Sequence, residues 1–299
     1  MTATRLSFSL SNSAGDTVSL AGSTIYVTAY DGLGLVKPQR FTRTGPQQHG
    51  QTLGAALLGE RVVTLHLVYQ STTEALLEAA QQELQQLLNE LTTAVYLDVT
   101  MPSGMTFRLD CYHKDGLKGT RRASGPFYWA EEVLQLVADE PTFYNGTPVV
   151  EQFALGGGGT GMPIPLLIPM TLGASSADVT QPVTYAGTWR SEPQVRITGP
   201  ITDAVIENLT TDEKLDFTGT TIADGDYYDI DCRYGYKTVT DKNGDSQLDD
   251  LTNDSDLATF HLAPHAEAPD GINDIRVAGA GINSNAKVSV TYYTRYIGI

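Results

Sequence analysis

Within 299 residues, one stretch has the periodicity of a convincing helix, and its place in the chain constrains most of what can be built around it. RVVTLHLVY, residues 61–69, alternates so that Val63, Leu65, Leu67 and Tyr69 share one face of a strand. Directly after it, TTEALLEAAQQELQQLLNEL sets Leu77, Ala80, Leu84, Leu87, Leu88 and Leu91 at helical intervals. This predicts a helix over 72–91, about 30 Å long, with Ser71 and Glu74 at capping-box spacing. No second helix is on offer to cover its apolar stripe, so the rod must lie on a sheet.

Strand patterns nearby supply that sheet. Short runs at 6–10, 18–20 and 25–28 precede the helix, and 94–99 pairs with 105–112 as a hairpin across Pro102, Ser103 and Gly104. A long run at 127–138 completes the set, and PTFYNGTP (141–148) closes it with turn residues. Residues 1–150 thus read as a β domain, barrel or sandwich, with one long helix. The following LGGGGTGMPIPLLIP marks residues 151–169 as a Gly/Pro-rich linker. It is no phosphate loop, because Met162 and Pro163 follow Gly161 where a Walker motif needs Lys and Ser/Thr.

Beyond Pro182 the pattern is strand and turn without a helix: 194–198, 204–207, 214–217, 227–232, 236–240, 257–262, 274–277 and 287–296. Gly199-Pro200, Asp224-Gly225, Asn243-Gly244 and Asp270-Gly271 punctuate them. Strands recurring about every 8–12 residues predict an antiparallel β-sandwich over 170–299. The chain is therefore expected to be mainly β and of two domains, as its length also suggests.

A formal charge of −16 and a pI near 4.5 oppose attraction to nucleic acid phosphates. Ten basic residues face fourteen acidic ones up to residue 150, and nine face twenty-one beyond it, so the acidity lies mainly in the C-terminal half. Cys111 and Cys232 sit in different halves without CxxC spacing and read as small buried residues. The N-terminus lacks a signal-peptide core and no run approaches the ~20 residues of a membrane span, so folding in a reducing cytosol and no membrane insertion are expected.

Residues able to do chemistry are scattered. His261 and His265 have the i, i+4 spacing of a zinc pair, but Pro264 lies between them and the segment leaves a strand. Asp241, Asn243 and Asp245 in DKNGDSQLDD resemble half of a calcium loop, with Ser246 where its glycine belongs and Thr252 where its glutamate belongs. They are a weak metal candidate, and a solvated hairpin turn is the plainer reading. Asp224, Asp226, Asp229 and Asp231 offer carboxylates at strand spacing with nothing to split their pKa values, as hydrolysis requires. No nucleophile elbow is present, so neither an enzyme nor a cofactor is expected. Two basic clusters, Lys37, Arg40 and Arg43, and Lys114, Lys118, Arg121 and Arg122, read as loops, either solvated or meeting acidic surfaces of neighbouring subunits.

Two longer passages carry a resemblance. HGQTLGAALLGERVVTLHLVY (49–69) with the helix after it, and YAGTWRSEPQVRITGPITDAVIENLTTDEKLDF (185–217), resemble the two halves of the distal tail proteins of long-tailed bacteriophages, a siphovirus-type tail component family. SDLATFHLAP, DGINDIRVAG and VSVTYYTRYIGI are similar to its last strands. One departure stands out: Asp212 follows Thr210-Thr211 where the pattern has Gly, which leaves the turn there open. The resemblance implies a virion structural protein at the tail tip, made in the host bacterial cytoplasm. Its N-terminal domain would close a hexameric ring and its C-terminal domain would be a galectin-like sandwich. The implied partners are copies of itself, the tail tube protein, and the tail-tip hub and receptor-binding proteins of the baseplate. The alternative is a carbohydrate-binding adhesion module, for which Trp189 and Arg190 are the candidate contacts.

Overall fold

Val63, Leu65, Leu67 and Tyr69 are each at most 1% exposed, and the face they share carries the core of the first of two units. The computed structural model describes residues 6–89, 94–117, 122–124, 127–155 and 176–299. Contacts divide the chain into a first unit, up to Gly146 together with Tyr296–Ile299, and a second, Thr147–Arg295.

The first unit holds β1 (Ser7–Ser11), β2 (Thr17–Ser19), β3 (Ile25–Asp31), β4 (Pro38–Arg43), β5 (Thr52–Leu58), β6 (Arg61–Ser71), α1 (Glu74–Leu87), β7 (Val95–Thr100), β8 (Thr106–Gly116), β9 (Arg122–Ser124), β10 (Phe127–Ala138) and β11 (Phe143–Asn145). Its main sheet runs β2-β1-β7-β8-β10-β6-β3, with antiparallel neighbours throughout. The expected hairpin is β7 and β8, in register from Val95 opposite Cys111 to Thr100 opposite Thr106.

The helix starts later and is shorter than the spacing predicts. Ser71 is still a strand residue, paired with Tyr128, so it cannot open a helix. Thr73, in extended backbone, is the cap instead, its Oγ1 accepting from Leu76 N at 3.4 Å. Ser71 Oγ accepts from Thr73 N at 3.0 Å and so braces the cap. Leu77, Ala80, Leu84 and Leu87 are buried as expected, against strands that include β6, β2 and β10. Gln81 is buried among them and donates to Glu132 Oε1 at 3.1 Å. Leu88 is the C-cap, and Leu91 lies outside the described residues.

One side chain ties the rim of this unit. Arg61, 3% exposed, donates Nε to the Pro141 carbonyl, Nη1 to those of Gly32 and Gly34, and Nη2 to that of Ile297, all at 2.6–2.7 Å. Its guanidinium lies 4.5 Å from the centre of the Phe143 ring, and burial lowers its pKa to about 10. Gly32 is required beside it: its φ is +91° and a Cβ would meet the Val62 carbonyl oxygen at 2.1 Å. Ile299 N donates to the Leu33 carbonyl at 3.0 Å and Tyr296 packs edge-on to Phe107. The last four residues, expected in the second domain, therefore belong to the first unit.

The second unit is two facing antiparallel sheets. β12 (Val149–Ala154), β13 (Ala177–Thr184), β14 (Gln194–Thr198), β15 (Ile201–Asn208), β16 (Glu213–Ile222), β17 (Tyr227–Asp231), β18 (Thr238–Asp241), β19 (Ile272–Ala280) and β20 (Lys287–Tyr292) precede the two-residue β21 (Arg295–Tyr296). The sheets run β12-β20-β14-β17-β18 and β13-β19-β15-β16. Phe153, Val195, Ile197, Ile206, Phe217, Ile230, Val277 and Val288 fill the space between them, as in a β-sandwich. Strand β12 runs across the expected boundary at 150, and its residues 151–154 fall in the segment read as linker; its partner, β20, is more than a hundred residues away and leaves no local trace. Residues 156–175 lie outside the described ones.

Residues 257–262, expected to be a strand, form turns with a single bridge from Leu262 to Ser191. Two buried asparagines replace the missing ladder. Asn208 Nδ2 donates to the His261 carbonyl at 2.8 Å, while Asn273 Oδ1 accepts from Ala263 N at 2.8 Å and its Nδ2 donates to the Ala263 carbonyl at 3.0 Å. Phe260 and Leu262 are buried beside these bonds, at 1% and 0% exposure.

Candidate assembly and binding surfaces

The residues singled out as chemistry are occupied with structure. Asp241 Oδ1 accepts from the backbone N–H groups of Asn243 and Asp245 at 2.8 and 2.9 Å, and its Oδ2 accepts from Asn243 Nδ2 at 3.1 Å. The three residues thus lock a tight hairpin turn, with Asp241 N bonded to the Asp245 carbonyl. Among the described residues, no group of three or more His, Cys, Asp or Glu side chains is placed to hold a metal. Trp189 is half-buried, bridged to Arg295, and Arg190 stacks 5.6 Å from its ring while lying 3.8 Å from Glu267.

His261 is buried and its ring is held by hydrogen bonds and carboxylates. Its Nδ1 lies 2.8 Å from the Thr259 carbonyl and 3.0 Å from Glu213 Oε2, and its Nε2 lies 3.4 Å from Glu267. Burial alone would lower the imidazole pKa, but the bonds to Glu213 and Thr259 reverse this and raise it. His265 is exposed and apart.

The aspartates are each held. Asp224 accepts from Asn283 and Asn285, Asp226 pairs with Lys242, and Arg196 forks onto Asp229 at 2.6 and 2.7 Å. Burial pushes the Asp231 carboxyl up, but hydrogen bonds from Arg233 and Gln194 hold it below the ordinary range. Both cysteines are fully buried, and burial drives both thiol pKa values upward, to about 12 for Cys232. No described helix is long and apolar enough to cross a membrane.

Two surfaces stand out instead. The cluster Lys37, Arg40 and Arg43, read as a loop, opens a hairpin arm in which β4 and β5 form a two-stranded sheet of their own. Apart from the half-buried Gly45, every residue from Lys37 to Leu57 is exposed. Phe41 opposes Ala55 and Gln39 opposes Leu57, which places Phe41 and Leu57 on one face of the arm, 47% and 60% exposed. The tip is stiffened by Thr42 Oγ1 bonding Gln51 at 2.8 Å and Gln48 bonding Thr52 at 2.7 Å. A bare two-stranded sheet with exposed apolar side chains is marginal by itself and marks a place for a partner. Of the second basic cluster, Lys114 meets Glu60 at 3.2 Å, while Lys118 and Arg121 lie outside the described residues, as does the side chain of Arg122.

The other surface is the outward face of the β12-β20-β14-β17-β18 sheet. A depression of about 690 Å³ lies on it, floored by outward side chains of its inner strands. Those side chains are polar, and the apolar Val195 and Ile230 of the same strands point into the core at 1% exposure.

No protein-family model matches the chain, and no curated protein matches it. Among solved structures, the Dit protein (gp 19.1) of phage SPP1, described as a paradigm of the hub adsorption apparatus in phages infecting Gram-positive bacteria, is similar over 96% of this chain and 98% of its own. The TM-score is 0.65 at 16% identity, which establishes a shared fold from end to end and agrees with the distal-tail resemblance. Components of the phage P2 baseplate in its activated conformation with Ca and with Sr are similar at TM-scores of 0.45 and 0.44, both at 10% identity. They cover 99% and 96% of this chain and 100% and 98% of their own, but likenesses that weak carry no argument.

Proposed function

We propose that the chain is a structural hub subunit of a bacteriophage tail tip, closing a hexameric ring that joins the tail tube to the host-recognition apparatus of the baseplate. The observation that carries this reading is the fold shared with SPP1 Dit along nearly the whole chain. The arm supports it independently, since an exposed apolar hairpin suits a heterologous contact in which each copy reaches onto the next. Its basic residues meet a molecule that is acidic overall, so contact between copies is attractive there even though net charge keeps free subunits apart. The protein works by holding shape, without catalysis or cofactor, in the virion after synthesis in the host bacterial cytoplasm.

Native mass of the purified protein tests this. Six copies are expected, and the paired substitution Phe41→Ser and Leu57→Ser is expected to release monomers. Because both sites are exposed, the melting of the variant should stay within about 0.5 kcal/mol of the parent. A chain that remains monomeric when mixed with its tail tube and receptor-binding proteins would rule the ring out.

A further inference from the structure

We infer that Asn145, the last residue of β11, is a site of spontaneous deamidation to aspartate and isoaspartate. This goes beyond the hub reading and does not rest on it. The chain has two Asn-Gly steps, Asn145-Gly146 and Asn243-Gly244, and all four residues are exposed. In both, a side-chain amide precedes a peptide nitrogen that no Cβ shields.

The reaction is intramolecular. The Gly146 nitrogen, its proton given up to water, attacks Cγ of Asn145 and closes a five-membered succinimide as ammonia leaves. Water then opens the ring at either carbonyl. Opening on one side gives aspartate; opening on the other gives isoaspartate, whose main chain runs through the former side-chain carbon and is one methylene longer. Water is the only co-reactant. Because the glycine nitrogen must turn toward Cγ, the hydrogen bonds around each step decide whether it can react.

Asn243-Gly244 is locked. Gly244 N donates to the Asp241 carbonyl at 3.0 Å, and the Asp241 carboxylate takes Asn243 N at 2.8 Å and Asn243 Nδ2 at 3.1 Å. The attacking nitrogen and the amide it would attack are thus both tied to one residue.

Asn145-Gly146 is held differently. The strand ends at Asn145, and among the described residues no turn or loop hydrogen bond runs to the Gly146 N–H. There is room for the rearrangement, since even a Cβ on Gly146 would meet only the Arg108 guanidinium, at 3.9 Å. Pro148, two residues on, has no N–H with which to fasten the segment. Gly146 is also where the first unit ends and the chain passes to Thr147 of the second, so the added methylene falls in the main chain at that passage.

The test follows the full chain in mildly alkaline buffer by peptide mass mapping, with methyl transfer by an isoaspartyl methyltransferase as a second readout. In the native protein Asn145 is expected to convert about tenfold or more faster than Asn243, and in strong denaturant the two rates should come within about twofold, the locking bonds being gone. Gly146→Ala should slow the Asn145 reaction about tenfold, because its methyl shields the nitrogen. Asp241→Ala should raise the rate at Asn243 and leave Asn145 unchanged. Circular dichroism melts confirm that both variants are folded. The inference fails if Asn145 stays intact in the native chain while the denatured chain converts, or if Asn243 keeps pace with it under native conditions. It also fails if Gly146→Ala leaves the rate at Asn145 unaltered.

Discussion

Arg61 in the first unit and Asn273 in the second both hold backbone that no strand pairs, and they do it with different chemistry. Arg61 gathers four carbonyl groups with one charged fork, drawing together residues near positions 32, 61, 141 and 297. Asn273, 0% exposed, is neutral and both donates and accepts, fastening one loop with Asn208 beside it. A guanidinium suits a place where only acceptors converge, because it has donors alone. An amide suits a loop that presents an N–H and carbonyls together. The first arrangement concentrates stability in one side chain, whereas the second spreads it over several neutral bonds.

Removing the fork is the harshest way to break this comparison. Arg61→Met keeps much of the apolar stem and leaves four carbonyls without their donor. A loss above about 3 kcal/mol is expected in the first unit, since each buried polar group left unsatisfied costs about 1–3 kcal/mol. Hydrogen exchange should show protection lost around residues 32–34 and 297–299 and retained in the second unit. Equal loss in both would show that Arg61 does not act locally.

Asn273→Ala is expected to cost less, about 2 kcal/mol, because Asn208 still holds the His261 carbonyl when its neighbour is gone. Denaturant unfolding of the full chain measures it, and exchange should rise first at Ala263. A loss as large as that of Arg61→Met would mean the amide pair is as concentrated a tie as the guanidinium.

A smaller, pH-dependent effect sharpens the contrast, since the same loop carries one buried ionic contact. His261 faces Glu213 and Glu267, with Arg190 nearby, and its folded pKa is raised. Its contribution is full below the unfolded value near 6.5 and is lost as pH rises through the folded value. Burial raises the Glu213 pKa, but the His261 contacts outweigh this and leave it lowered, so its contribution fades as pH falls below the ordinary range near 4.5. The second unit should be most stable between those limits, and its melting temperature should drop between pH 6 and pH 8.5. His261→Gln should flatten that slope. An unaltered slope in the variant would place the titration elsewhere.

How much of this was legible in the sequence follows from the range of each signal. The alternation of 61–69 and the stripe of Leu77, Ala80, Leu84 and Leu87 are local, and they identified the central strand and the face of its helix. The cap lies two residues beyond the one the spacing predicts, because Ser71 and Thr73 look alike until the pairing of Ser71 with Tyr128 is known. Strand β12, the return of Tyr296–Ile299 and the role of Arg61 all depend on partners far along the chain. The arm is illegible for another reason: its basic residues read as a loop, and nothing in the sequence separates an exposed Phe41 or Leu57 from a core residue. The polar sheet face is written in alternate residues of three strands, but only their registry brings Arg196 beside Asp229.

The turn after Asn208 gives the smallest expected effect and the finest test of that local reading. Asp212, where the family resemblance has Gly, adopts φ +59° in an exposed turn. The left-handed conformation that glycine would supply is therefore kept, and Asp is among the few other residues that visit it. Asn208 steadies the turn by accepting from Thr210 N at 3.1 Å through its side chain and from Thr211 N at 3.2 Å through its carbonyl. Asp212→Gly relieves the left-handed strain but adds freedom to the unfolded chain, so a net gain of about 0.5 kcal/mol is expected. Asp212→Ala keeps the strain and loses the tolerance of an Asp side chain, so it should be less stable than the parent. A loss of stability with glycine would mean that the Asp212 carboxylate does something in this turn beyond tolerating its backbone.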